Sequence, residues 1–314
     1  MNNVTGQEPN PGRLAHLPMA VAAMLFSLAL VDPAGAQSFT PIECPGYLES
    51  ESLGMNDFGT IVGTCSNDLY ETSSGYVRKG GVFTILDAPG SAYTEPWDVN
   101  NLGAVVGDYI GEDGNFHGFL YRGGRFTTID FPGASQSSVQ GIDDLGRMVG
   151  IFIDEDGVFE AFLYAGGRFE VIRYPEADEA SAEGINVLKQ IVGTWDADGA
   201  SHGFLLKNGR FTSIVYPGAA HTTANKINLF GQIVGTWSES DTSFFRGYVL
   251  TRSGFENIDY PGAIVTTSHD INNLGQIVGI FKDEAGVKHG YLRIPAERHV
   301  GHLEAEADNE SDDD

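Results

Sequence analysis

The chain has 314 residues, 41 of them Gly, and sets 18 Lys and Arg against 43 Asp and Glu for a formal net charge of −25. An excess of negative charge on that scale repels phosphate backbones and anionic bilayers, which excludes nucleic acid as an expected partner. The glycine content asks for many tight turns and argues against a helical protein.

In chain order, residues 1–36 read as a secretory leader. Arg13 and His16 precede an apolar run at 17–31, and Pro33-Ala34-Gly35-Ala36 ends in an Ala-x-Ala cleavage site. The run is short for a bilayer span, so the alternative of an uncleaved anchor is set behind cleavage. Secreted or periplasmic localisation is expected, with no stable membrane insertion after cleavage. At the other end, residues 296–314 form an acidic tail that reads as solvated and disordered.

Between them, 37–295 is one repeat array. The motif Ile/Val-Val-Gly, with Met148 in its first place in one unit, recurs with its glycine at Gly63, Gly107, Gly150, Gly193, Gly235 and Gly279, spaced 44, 43, 43, 42 and 44 residues apart. A period in the low forties fits a four-stranded propeller blade. In the unit at 140–175 the four strands are separated by an Asp143-Asp144-Leu145-Gly146 turn, an Asp-rich loop at 154–157 and a Gly166-Gly167 turn. Five units place Gly at the end of the first turn (Gly59, Gly103, Gly146, Gly231, Gly275), where a left-handed backbone is expected. The sixth has Lys189, which predicts the least well-formed hairpin. From Gly46, Gly90, Gly133, Glu176, Gly218 or Gly262 to Asn56, Asn100, Asp143, Asn186, Asn228 or Asn272 is ten residues in every unit. A connector of fixed length stepping from one blade to the next explains that constancy.

The last unit is split between the two ends of the chain. SFTPIECPG at 38–46 matches the fourth strand of later units, RFTTIDFPG at 125–133, RFTSIVYPG at 210–218 and GFENIDYPG at 254–262, whereas the last unit stops after HGYLRIP at 289–295. The N-terminal segment is therefore expected to complete the last blade. The fold predicted is all-β: a six-bladed β-propeller with four antiparallel strands per blade, closed by an N-terminal strand. An open solenoid of the same units is the rival, and it would leave the split unit unexplained and two edges unpaired.

The units at 184–219 and 271–293 resemble those of the HAF-repeat proteins, bacterial extracellular repeat proteins named for a His-Ala-Phe-like element. That element reads His117-Gly118-Phe119, His202-Gly203-Phe204 and His289-Gly290-Tyr291, with Glu160-Ala161-Phe162 as the nearest departure. The resemblance covers nearly all of 38–293. It implies a secreted protein and brings no established activity, so it transfers no catalytic residue.

Cys44 and Cys65, the two cysteines, are 21 residues apart. The equivalent pairs are Phe131 and Phe152, Tyr174 and Trp195, Tyr216 and Trp237, and Tyr260 and Phe281, with Ala88 and Tyr109 the remaining pair. Stacked aromatics at blade junctions are expected, replaced at the seam by a disulfide that locks the closing strand to the first blade. Two buried free thiols are the alternative.

Chemistry-bearing patterns are sparse. His117, His202 and His289 occupy the same position in separate blades, which favours structural roles over a shared metal. The turns Asp154-Glu155-Asp156-Gly157 and Asp196-Ala197-Asp198-Gly199 resemble calcium loops but show too few oxygen ligands, so no cofactor is expected beyond weak calcium binding. No nucleophile elbow, zinc-helix motif or phosphate loop is present. The connectors and Asp-rich loops share one face, and two positions there vary between units: one carries Tyr93, Glu179 and His221, the other Trp97, Gln140, Glu183, Asn225 and His269. These eight residues are the candidate ligand-binding set. The position two further on is always Met, Val or Ile, as packing requires. The reading is a secreted, monomeric, non-catalytic binding or scaffold module for a glycan, peptide or surface partner. Its alternative is an extracellular polysaccharide hydrolase or lyase using Glu183, Glu179, His221 or His269 as acid and base.

Overall fold

The computed structural model describes residues 37–67, 72–175, 177–239 and 244–296. The expected leader, Glu176 of the connector series and the acidic tail beyond 296 lie outside them.

Six antiparallel sheets surround an axis. Blade 1 runs outward through Glu49–Met55, Ile61–Ser66, Ser74–Lys79 and Val82–Ile85. Blades 2, 3, 4 and 6 repeat that order from innermost strands Thr94–Val99, Gln136–Ile142, Glu179–Ile185 and Val265–Ile271. The innermost strand of blade 5 is split into His221–Thr222 and Lys226–Ile227. Each innermost strand packs on its neighbours around the ring, blade 6 against blade 1 included. The fold is a six-bladed β-propeller.

Each blade is held by one aromatic from its third strand, fully buried: Tyr76, Phe119, Phe162, Phe204, Tyr248 and Tyr291. A phenylalanine of the outermost strand packs on it, with ring centroids 5.0 to 5.7 Å apart. In blade 6 that phenylalanine is Phe39, from the other end of the chain. The strand Ser38–Ile42 pairs antiparallel with Lys288–Ile294, setting Phe39 opposite Arg293 and Ile42 opposite Gly290. The N-terminal strand thus completes the last blade, and main-chain hydrogen bonds convert a row of sheets into a ring without unpaired ends.

The seam carries a second fastening. Cys44 and Cys65 are disulfide-bonded across a sequence separation of 21, which by loop closure contributes about 3 kcal/mol. At the equivalent junctions Phe131 stacks on Phe152, Tyr174 on Trp195, Tyr216 on Trp237 and Tyr260 on Phe281, at 3.7 to 4.3 Å between centroids. One covalent bond therefore stands where four of the five other junctions use a stacked pair, Ala88 and Tyr109 marking the fifth.

The turn between first and second strands builds the rim away from the connectors. Each turn Asn accepts two backbone N–H groups of its own turn; for Asn56 these come from Phe58 and Thr60. Its Nδ2 donates to the matching carbonyl of the next blade: Asn56 to Asn100, Asn100 to Asp143, Asn186 to Asn228, Asn228 to Asn272 and Asn272 to Asn56, at 3.0 to 3.4 Å. Asp143 has no donor to give. Arg147 supplies it, with Nε on Asp143 Oδ2 at 2.6 Å and Nη2 on the Asn186 carbonyl at 3.3 Å. The hydrogen-bonded circle closes without a gap.

The hairpin at Lys189 departs from the expectation that it would be the least well formed. Lys189 takes φ 57 and donates its N–H to the Asn186 carbonyl at 2.9 Å, as the glycines do in the other turns. The strain is carried by one residue because the turn Asn and its neighbours fix the backbone around it. Lys189→Gly is accordingly expected to stabilise the protein by about 0.5–1 kcal/mol, read as a raised urea midpoint at unchanged slope. Deleting residues 37–46 is expected to lower the melting temperature and yield oligomers through the exposed edge; a monomer of unchanged Tm would contradict the closing role of that strand.

Candidate functional site

The site follows from an irregularity that every blade shares. In the innermost strands the pairing register slips by one residue between Ser52 and Gly54, Pro96 and Asp98, Val139 and Gly141, Ala182 and Gly184, and Ser268 and Asp270. The skipped residues are Leu53, Trp97, Gln140, Glu183 and His269, and in blade 5 Asn225 lies in the break of the strand. A β-bulge re-aims the residue it leaves unpaired. All six line one cavity of about 480 Å³ at the connector end of the axis, with His221, Trp237 and Phe245.

The same bulge accounts for the Ile/Val-Val-Gly motif. A Cβ on Gly63 would overlap the Glu51 carbonyl, and a Cβ on Gly107 that of Glu95, because the bulged strand presses its carbonyl onto the strand beside it. One residue past the bulge the blades meet at the axis. There Gly54, Gly141 and Gly184 leave no room for a side chain against the next blade's backbone, and Asp98, Lys226 and Asp270 occupy the remaining three places.

Those three charged residues divide the channel. Lys226 Nζ donates to the carbonyls of Gln140 (2.5 Å) and Glu183 (2.7 Å) and lies 3.7 Å from Asp98. Asp98 accepts the N–H of Ile142 at 3.0 Å, and Asp270 that of Met55 at 2.6 Å, each tying its blade to the next. Burial raises the pKa of both carboxyls, with Asp98 adding to the effect on Asp270 and Lys226 opposing it. Lys226 lines the cavity on the connector side and also the one on the opposite side. Lys226 is therefore the floor of a cup on the connector side, with Asp98 and Asp270 beyond it lining only the opposite cavity.

Its walls mix aromatic faces with fixed polar groups. Glu183 Oε1 accepts from Ser181 at 2.9 Å and Thr194 at 3.2 Å, and burial holds its carboxyl above the usual range. Asn225 Nδ2 donates to the Ser268 carbonyl at 2.8 Å. His221 Nδ1 accepts the Ser201 N–H at 3.3 Å. His269 is pushed down to about 4, first by burial and then by Lys226 and Lys288, so it is neutral at pH 7.

Six of the eight candidate residues thus converge: Trp97, Gln140, Glu183, His221, Asn225 and His269. Tyr93 lines a neighbouring cavity of about 250 Å³ that shares Trp97 and Gln140. Glu179 pairs in register with Asp196 at the strand start and lines neither. Sequence reasoning missed Asp98, Lys226 and Asp270, although the repeat does carry a signal: one aligned position reads Gly, Asp, Gly, Gly, Lys, Asp. It also missed that the opposite rim, read as plain scaffold, exposes one large apolar residue per turn: Phe58, Leu102, Leu145, Leu188, Phe230 and Leu274.

The histidines of the His-Gly-Phe element hold strands locally. His117 bridges Asp113 and Asp130, His289 bridges Asp283 and Glu43 of the closing strand, and His202 packs on Trp195. In the first Asp-rich loop, Asp154 Oδ1 accepts the N–H groups of Asp156 and Val158. Among the described residues no three His, Cys, Asp or Glu side chains converge as a metal site.

No family model matches the chain, and no curated protein matches it. Solved structures do resemble it. One assigned to TolB from Agrobacterium tumefaciens is 11% identical with a TM-score of 0.55, covering 84% of this chain and 99% of that one. TolB from Acinetobacter baumannii is 10% identical with a TM-score of 0.51, covering 72% of this chain and 61% of that one. A streptogramin B lyase is 12% identical with a TM-score of 0.47, covering 83% and 98%. At these identities the likeness is one of fold, that of the β-propeller.

The low pKa of His269 has a consequence for stability. Its folded value lies below that of an unfolded imidazole, so the native state binds fewer protons and loses stability as pH falls through about 6.5 to 4. His269→Gln is expected to remove that part of the acid sensitivity, worth about 3 kcal/mol at pH 4, as measured by urea denaturation across the range. An unchanged pH profile would contradict a buried neutral imidazole.

Proposed function

We propose that the protein is a secreted or periplasmic binding module whose blind axial cup receives a glycan, with the HAF-repeat proteins as its relatives. The observation that carries this reading is the convergence of the six bulge residues on one cavity floored by Lys226. A sugar ring has an apolar face and a rim of hydroxyls. Trp97 offers stacking surface, and Gln140, Asn225, Glu183 and His269 offer hydrogen-bonding groups of both kinds. The disulfide supports an oxidising compartment, as does the leader read from the sequence.

Two features support binding over hydrolysis. Glu183 is the one carboxylate lining the cup among the described residues, whereas glycosidic cleavage ordinarily uses two flanking the bond. The side chains between the blades are also committed to structural hydrogen bonds, which suits a rigid receptor.

A glycan array with the mature protein, followed by calorimetry on the best binder, tests the reading. Trp97→Ala is expected to weaken binding roughly five- to tenfold, the loss of one stacking contact. Glu183→Ala is expected to weaken it roughly ten- to a hundredfold, the loss of a hydrogen bond to a charged group. Retained affinity in both variants would remove the cup as the site, and product release from the bound glycan would favour the hydrolase or lyase reading.

A further inference from the structure

Beside the cup, between blades 2 and 3, lies the smaller cavity of about 250 Å³, lined by Tyr93, Glu95, Trp97, Asp108, Phe116 and Phe159 together with the start of the innermost strand of blade 3. Asp108 is 4% exposed. Its Oδ2 accepts Trp97 Nε1–H at 2.8 Å and the Ser138 hydroxyl at 2.5 Å, while its Oδ1 is buried without any hydrogen-bond partner. A buried carboxylate oxygen left without a donor is costly in a finished fold, and it marks a place where a donor is missing.

Neighbouring donors are already engaged. The Tyr93 hydroxyl is given to Glu95 at 2.7 Å, Trp97 and Ser138 are given to the other oxygen of Asp108, and Gln140 Nε2 is given to Ser138 at 2.6 Å. The cavity wall sets two carboxylates, Glu95 and Asp108, among the rings of Tyr93, Trp97, Phe116 and Phe159, with Gln136 beside them accepting the Phe116 N–H at 3.4 Å; Tyr93 and Phe116 lie edge to face at 5.7 Å. Carboxylate oxygens ringed by aromatic faces are the complement of an organic cation, which gains both hydrogen bonding and cation–π attraction.

The geometry points to this cavity as a site for a primary ammonium group, the end of a lysine side chain or of an aliphatic diamine, donating to Asp108 Oδ1 and to Glu95. The inference stands apart from glycan binding in the cup, with which the site shares the Trp97 wall. Burial, and for Glu95 the charge of Asp108, raises both carboxyls above their ordinary range. The other groups acting on the pair are Tyr93 and Glu51, which is ion-paired to Lys288 of blade 6. An arriving ammonium stabilises the ionised carboxylates, so binding releases protons and tightens as pH rises.

Calorimetry with 1,4-diaminobutane and with Nα-acetyl-lysine amide, in buffers of different ionisation enthalpy, tests this. Binding is expected with net proton release at pH 7, at least tenfold tighter at pH 8.5 than at pH 5.5. Asp108→Asn keeps an acceptor for Trp97 and Ser138 but turns an N–H toward the cavity, and should weaken binding at least tenfold while leaving Tm within a few degrees. Glu183→Ala should leave amine binding unchanged, so failure of the glycan reading and failure of this one remain distinguishable. Three outcomes would overturn the proposal: no binding at pH 8.5, equal binding by wild type and Asp108→Asn, or tetramethylammonium binding as tightly as the primary amines.

Discussion

Crowding of the innermost strands at the axis is the constraint on which the molecule depends. Six strands must approach until backbone meets backbone, and at Gly54, Gly141 and Gly184 a single methyl group would already collide with the next blade. The strands relieve this by bulging one residue earlier. The bulge turns a side chain into the channel and drives a carbonyl against the second strand, which is why a glycine ends each Ile/Val-Val-Gly motif. A motif read first as a marker of periodicity is therefore a record of steric contact.

Where the three axial places are not glycine, the residues are charged and reach across blades. Lys226 joins blade 5 to the carbonyls of blades 3 and 4, and the two aspartates join blade 2 to 3 and blade 6 to 1. Such an ionic plug is not the most stabilising filling available, since desolvation offsets much of the attraction. It does close the channel, and so gives the connector face a cup with a floor. On the opposite rim the same need for blade-to-blade linkage is met by the asparagine circle, where Arg147 repairs the one position at which Asp143 lacks a donor.

The closing strand and the disulfide divide the work of holding the ring shut. Hydrogen bonds and Phe39 anchor residues 38–42 to blade 6, and Cys44 anchors the following turn to blade 1. Stacked aromatics serve four of the other five junctions, Ala88 and Tyr109 being the exception, because there the chain is continuous and no ends have to be joined. At the seam the two parts of the last blade are brought together from opposite ends of the sequence by strand pairing, and the disulfide, closing a loop of 21 residues, fixes the turn after the closing strand to blade 1.

The sequence by itself determined the blade count, the split blade and the placing of both cysteines at one junction, because these are properties of a repeat aligned against itself; that the two are bonded was decided by the structure. It also singled out Trp97, Gln140, Glu183, Asn225 and His269, since variation at one aligned position is visible without coordinates. Only the tertiary structure decided that Glu179 falls outside the cup, that Lys226 lies over carbonyls 43 and 86 residues away, and that Asp108 keeps an oxygen without a donor. The physical reason is the same in each case. A propeller's axis and blade junctions are assembled from residues a whole number of repeats apart, so their contacts are set by how six sheets pack and leave no spacing in the chain.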